Sequence, residues 1–501
     1  MPLLFATCLA LAPSLAHADA FAPAKETASA PARAAKPAKA PDKAAKPSTA
    51  VKPAKVARSK PGTPAVAPKP GELVKVRGQL RSPAVTMELD HFVLANGLRV
   101  YVLEDHSTPT YAMQIIYNVG SRDDAPGHTG FAHFFEHMMF KGSANVPDGG
   151  YFKTILGAGG KMNAFTANDV TLYFNQMPSQ YLDASLWLES DRLRSLAITD
   201  ENFENQRNAV KEEKAMRVDN VPYAKAVQDF FAEAWAGTGY GHVGIGTDED
   251  LSAATTADVK AFFDTYYVPN NAVMVLVGDV AAAEVQTKVE KYFGDIPRGN
   301  ERAAFAPIEH SQKKLEKRFE DKFAQQPLYL VGWKTVAQSH PDRHAVELLM
   351  NILLRGDAAR ITRILVDEKK LAVAALPMPS GSSGGRDAGS AFSAFIPAQG
   401  TTFDQIKQVI TSEIDGIKKK GIARKDLQKA INQMTADTVM GLATNNGRGM
   451  QIAFGALLEN NPLFVLSDVE KYRTVTPADI KRVANTYLTG EWMTAEVVPA
   501  K

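Results

Sequence analysis

FAHFFEHMMF, residues 131–140, carries two histidines four apart with a glutamate directly before the second. On a helix, positions i and i+4 share a face, so His133 and His137 point two imidazoles at one place. Glu136, three residues after His133, borders the same face. Zinc favours imidazole nitrogen with a carboxylate, and a catalytic zinc keeps one position for water. A neighbouring glutamate is placed to take the proton from that water. The order H-x-x-E-H is an inverted form of the commoner H-E-x-x-H zinc signature. A chance match in a chain of this length has an expectation on the order of 0.01. The bland alternative is three polar residues stranded on an apolar helix, and burying them without partners is costly.

Two histidines are an incomplete ligand set, and a carboxylate would complete it. FENQRNAVKEEKAMRVDN (203–220) reads as a polar helix with adjacent Glu212 and Glu213. Neighbours on a helix point about 100° apart, so only one of the two is the ligand. Spacing and period do not choose between them.

The 501 residues are 45% hydrophobic and 22% charged, a globular mix too long for one core. Formal net charge is +2, but residues 19–71 hold eleven Lys/Arg against three Asp/Glu, which leaves −6 for everything after them. The folded body is mildly acidic, which argues against a nucleic-acid partner. MPLLFATCLALAPSLAHADA has an apolar run followed by Ala16-His17-Ala18, the pattern of a signal peptide over residues 1–18. The one cysteine, Cys8, falls inside it, so the mature chain holds no disulfide. Export to the periplasm is the expectation. Residues 19–75 are rich in Ala, Pro and Lys and read as a disordered, cationic tether. No later stretch approaches about 18 consecutive apolar residues, so no membrane span is expected.

Order is expected from residue 76. HFVLANGLRVYVLED (91–105) reads as a hairpin around Asn96-Gly97. TTADVKAFFDTYY (255–267) matches TPADIKRVANTYL (476–488) at Thr, Ala, Asp, Lys, Thr and Tyr without a gap, and each copy precedes an apolar, strand-like run. That echo points to duplication. The expected fold is α+β: two related domains, each an antiparallel-rich sheet packed with helices. Residues 76–298 form the metal-bearing domain, 299–318 a linker, and 319–501 a metal-free homologous domain.

GHTGFAHFFEHMMFKG, GGKMNAFTANDVTLYF and QRNAVKEE together resemble the pitrilysin/insulinase family of inverted-motif zinc peptidases, which includes the mitochondrial processing peptidase. The resemblance runs over about residues 85–500. It implies a zinc metallopeptidase acting on unfolded peptides or oligopeptides. His133, His137 and Glu213 would bind Zn2+, with Glu136 as general base. Glu213 lies 76 positions after His137, in the family's R-x-x-V-x-x-E context of Arg207, Val210 and Glu213. The resemblance thereby selects it over Glu212. It also implies that Asn163 and Ala164 lie on an edge strand that pairs with the substrate backbone.

Two positions depart from the pattern. Gln206 stands where relatives often have a glutamate, seven residues before the ligand. GSAFSAFIPAQGTTF (389–403) lacks the Arg/Tyr pair that the non-zinc half usually offers, and Arg386 lies just before it in SGSSGGRD. A zinc set without that pair implies one member of a hetero-dimer whose homologous partner supplies it; a homodimer stays open. The alternative function is a non-catalytic scaffold or peptide-binding subunit.

Overall fold

A computed structural model describes residues 68–501, apart from 82–83, 304–305, 310, 312 and 378–384. The expected signal peptide and nearly all of the tether lie outside the described residues.

Seven strands form the first sheet: β1 Val74–Leu80, β2 Val85–Val93, β3 Arg99–Glu104, β4 Thr110–Tyr117, β5 Lys161–Thr166, β6 Thr171–Pro178 and β7 Ala272–Gly278. Five form the second: β8 Leu315–Asp321, β9 Leu328–Lys334, β10 Ala372–Pro377, β11 Ser390–Pro397 and β12 Met493–Pro499. The first runs β1-β2-β3-β7-β4-β6-β5 and the second β10-β11-β9-β12-β8. Written from the other end, the second sheet repeats the β3-β7-β4-β6-β5 portion of the first. The pairing sense repeats too. β3–β7 and β8–β12 are parallel, and every other pair is antiparallel. The fold is α+β with two related halves, as the internal echo implied.

Local chemistry accounts for the elements. The β2–β3 hairpin turns at Asn96-Gly97, where Gly97 has φ 93°. The Asn96 amide donates to the carbonyls of Phe293 and Ile296, tying the turn to the end of a distant helix. β7, AVMVLVG, is buried along its whole length because helices cover both faces of the sheet. On one face lie the helices Phe131–Met138, Leu182–Ser195, Thr256–Tyr266 and Ala282–Phe293. The helices Asn445–Leu458 and Phe464–Tyr472, from the second half, cover the other. The exchange is mutual: the helix Ala224–Ala234 of the first half packs on the second sheet, against Leu328, Phe392 and Met493. Close approach at Gly449 lets the 445–458 helix settle on β4, since a Cβ there would stand 1.9 Å from Gln114 Oε1.

Two element boundaries fall inside stretches read as linkers. β1 begins at Val74 and β8 at Leu315. β8, LEKRFED, is an edge strand whose charged side chains face solvent. Such an edge reads as a linker from its composition.

Candidate metal centre

Phe131–Met138 is the motif helix. Phe131, Ala132, Phe134, Phe135 and Met138 enter the core, which leaves His133, Glu136 and His137 on the remaining stripe. Its start is built by Gly130 and Asp124. Gly130 has φ 87°, and a Cβ there would meet the Ile245 carbonyl at 2.6 Å, so only glycine fits. The Asp124 carboxylate accepts from the backbone N–H of Gly130 (2.8 Å) and Ala132 (2.9 Å). It thus satisfies donors that a helix N-terminus otherwise orphans. His242 Nε2 lies 3.2 Å from the same carboxylate.

Glu213 comes from the helix Asp200–Lys214, capped by Thr199. Phe203, Gln206 and Val210 form its buried stripe, and Phe203 meets Phe134 of the motif helix edge-on at 5.4 Å. That packing delivers Glu213 to the histidines. Glu213 Oε2 is 3.0 Å from His137 Nε2 and 3.6 Å from His133 Nε2. All three ligand atoms lie within 4.8 Å of one another, the one such group among the described residues. A tetrahedral ion with bonds of about 2.05 Å separates its ligand atoms by about 3.3 Å, so the donor set and spacing fit zinc. Glu212, the neighbour that spacing could not exclude, is exposed.

Around this trio the second contacts are specific. Gln206 hydrogen-bonds His137, so the amide does orienting work without adding charge. Arg217, in the π-helical turn Ala215–Asp219, holds Glu213 Oε1 at 2.6 Å and leaves Oε2 to the imidazoles. Thr166 Oγ1 of β5 donates to Glu136 Oε2 at 2.6 Å. Burial pushes the Glu136 carboxyl above its ordinary range, partly offset by His137 and the Thr166 bond. Burial and the neighbouring His137 push His133 down to about 4. Burial opposes ionisation of Glu213, but the His137 bond and both imidazoles outweigh it and hold Glu213 at about 2. A neutral imidazole and an ionised carboxylate are the forms that ligate a divalent metal, so His133 and Glu213 stand in the ligating form, while His137, opposed by burial but raised overall by its Glu213 bond and the Glu136 charge, gives up a proton to bind.

β5 is the outer strand of the first sheet. Thr166, Ala164 and Met162 face the motif helix side, while Phe165, on the opposite face, stacks on Phe454 at 6.1 Å. Asn163 is exposed, and its own Oδ1 accepts from the Ala164 N–H at 2.9 Å. Asn163 and Ala164 therefore sit at the open edge, beside the strand position that holds Glu136.

Among the described residues, the second half carries no counterpart. The helix Arg343–Leu354 ends at Arg355-Gly356, as the motif helix is followed by Lys141-Gly142, and both glycines have positive φ. That alignment puts Glu347, Met350 and Asn351 where His133, Glu136 and His137 stand. Glu347 pairs with Arg343 at 2.9 Å, and Arg343 also grips Asp468 with two bonds. β11, in the stretch searched for the Arg/Tyr pair, contains neither residue. Arg386 instead reaches the first half, at Asn118 and Asp169.

Sequence reasoning missed Asp124 and Thr166. Thr166 lies inside the quoted NAFTANDV stretch, and its place three residues after Asn163 is the available signal. Asp124 caps across a loop, with no local spacing to announce it.

The family model described as "Insulinase (Peptidase family M16)" matches residues 99–246, and that of the "Peptidase M16 inactive domain" matches residues 253–434. The chain belongs to the insulinase family of peptidases, M16. It is 28% identical over 422 residues to the zinc protease PqqE of Helicobacter pylori, covering 83% of this chain and 94% of that protein. The crystal structure of a protease from Helicobacter pylori matches with a TM-score of 0.76 at 26% identity, over 82% of this chain and 99% of that one. The first half of the periplasmic protease PqqL from Escherichia coli shares the fold, with a TM-score of 0.65 at 17% identity over 87% of this chain and 94% of that one.

Proposed function

We propose that this chain is a zinc metallopeptidase that hydrolyses peptide bonds in unfolded peptides or oligopeptides. The observation that carries the reading is the convergence of His133, His137 and Glu213 beside a buried, hydrogen-bonded Glu136. The three ligands would hold Zn2+, which when bound polarises a scissile carbonyl and acidifies water. Glu136 receives the proton from the attacking water and passes it to the leaving amine. Thr166 holds the carboxylate in place for both transfers. The open edge of β5 pairs with an extended substrate backbone at Asn163 and Ala164, which suits unfolded chains and leaves side-chain readout loose.

The apolar leader with its A-x-A site supports export to the periplasm. The lack of an Arg/Tyr pair in 389–403 supports a dimer in which a homologous subunit supplies those groups. Among the described residues, no helix is long and apolar enough to cross a membrane.

The test is cleavage of a quenched, unstructured peptide by the mature chain, with and without chelator, beside Glu136→Gln, with bound zinc quantified. Chelator-sensitive cleavage is expected from wild type when the homologous subunit is present. Glu136→Gln keeps its zinc and loses activity by about 10²–10⁴-fold. Turnover by that variant at the wild-type rate would show that another group is the base. Zinc without cleavage in the isolated wild-type chain points to the missing partner. A chain that binds peptide without cleaving it, even when partnered, is a carrier or scaffold.

A further inference from the structure

The quoted stretch GGKMNAFTANDVTLYF contains one charged residue beyond Lys161 that the chemistry above leaves unused: Asp169. It sits in the turn between β5 and β6, where the Ala167 N–H donates to the Val170 carbonyl at 2.8 Å. Its side chain is 1% exposed. Three groups from three distant segments converge on it. Arg122 Nη1 donates at 2.5 Å from the loop that leads into the motif helix. The Tyr240 hydroxyl donates at 2.6 Å. The Arg386 backbone N–H donates at 2.8 Å from the second half.

The connections close on themselves. Arg386 Nη2 donates to Asn118 Oδ1 at 2.5 Å, and Asp387 lies 2.9 Å from Arg122. The Ser121 and Arg122 N–H groups donate to the Ala167 and Asn168 carbonyls at 3.0 and 2.9 Å. The turn is thus held by the first half's own loop and by the second half together. Thr166, three residues before Asp169, holds Glu136, and Ala164 lies two further back. An edge strand has a sheet neighbour on one side only, so its placement depends on what grips its ends. A buried carboxylate with several donors, one of them a guanidinium, is a strong grip.

We propose that Asp169 is a positioning residue for peptide capture. Through it the second half holds the β5 edge in register with Glu136. The inference rests on the reading of β5 as the peptide edge, not on turnover.

The test measures peptide affinity by fluorescence anisotropy in the zinc-loaded Glu136→Gln full chain, where nothing is cleaved. Into that background go Asp169→Asn, Asp169→Ala and the double change Arg386→Ala/Asp387→Asn. Asp169→Ala and the double change should weaken peptide binding by about five- to tenfold, the scale of about one lost hydrogen bond. Asp169→Asn, which keeps an acceptor, should recover part of the loss. Zinc content should stay near that of the parent in every variant, Asp169→Ala should lower the melting temperature by taking the buried carboxylate away from Arg122, and amide exchange over residues 161–171 should quicken. The double change leaves Asp169 and its three donors in place, the Arg386 N–H included, and removes the side-chain contacts to Asn118 and Arg122 that seat that N–H, so it reads out the second half's grip even if Asp169→Ala fails to fold. Unchanged affinity in the double variant would overturn the proposal, as would weakened binding that tracks loss of zinc. Failure of the wild type to cleave would count against the peptidase reading and leave this one standing.

Discussion

Thr166 gives Glu136 its one neutral hydroxyl donor, at 2.6 Å, inside a site where burial disfavours the ionised carboxylate. A hydrogen bond to a charged group is worth about 1.5–3 kcal/mol. Thr166→Val keeps the shape and removes the donor. It should lower kcat by about 10–100-fold with zinc retained, the same energy expressed as a rate. A kcat equal to wild type would mean that Thr166 merely packs there. The His133, Glu136 and His137 trio was readable because helical period alone puts the three on adjoining faces. The choice of Glu213 over Glu212 was not readable from period. It depends on Phe203, Gln206 and Val210 turning that helix toward Phe134, a contact between segments some seventy residues apart. Asp124 was invisible for a similar reason: it caps a helix that begins beyond an intervening loop.

Among elements, the helix Asn445–Leu458 shows how the halves are joined. Its Gly449 touches Gln114 of β4, and Asn446 accepts from the Gln114 amide at 3.0 Å. Gly449→Val forces the helix off the sheet or displaces Gln114, an overpacking that typically costs about 1–3 kcal/mol. The expected outcome is a lower unfolding midpoint in denaturant or heat. An unchanged midpoint would show that the helix has room to lift. The strands were legible where chemistry is local: the Asn96-Gly97 hairpin and the apolar β7 and β12 all form. The first four residues of the edge strand β8 read as linker, because an edge with charged side chains carries no strand period.

For the molecule as a whole, the halves exchange covering helices, so each sheet buries a face against the other half. A charged contact sits on that seam. Arg448 Nη2 meets Asp105 Oδ2 at 2.5 Å. A hydrogen bond from Ser107, followed by the Arg448 contact, holds Asp105 at about 2, below its ordinary 3.8. A depressed carboxylate stabilises the fold above its unfolded pKa, and that contribution is lost as pH falls through the folded one. For Asp105 the window runs from about pH 4 down to about pH 2. Arg448→Met should therefore make the unfolding midpoint less dependent on pH within that window. An identical slope would show that Asp105 gains nothing from the pair.

The chain's order of residues determined, by itself, that two histidines and a glutamate share one helical stripe. It also determined that the chain is duplicated. These are properties of short spacing and of repeated local pattern, and period carries both. Tertiary structure decided the rest. It brought Glu213 against the two histidines, set Thr166 against Glu136, made β5 an open edge and wrapped each half around the other's sheet. Those outcomes depend on contacts between residues distant in the chain, whose energies come from burial and shape rather than from any local repeat.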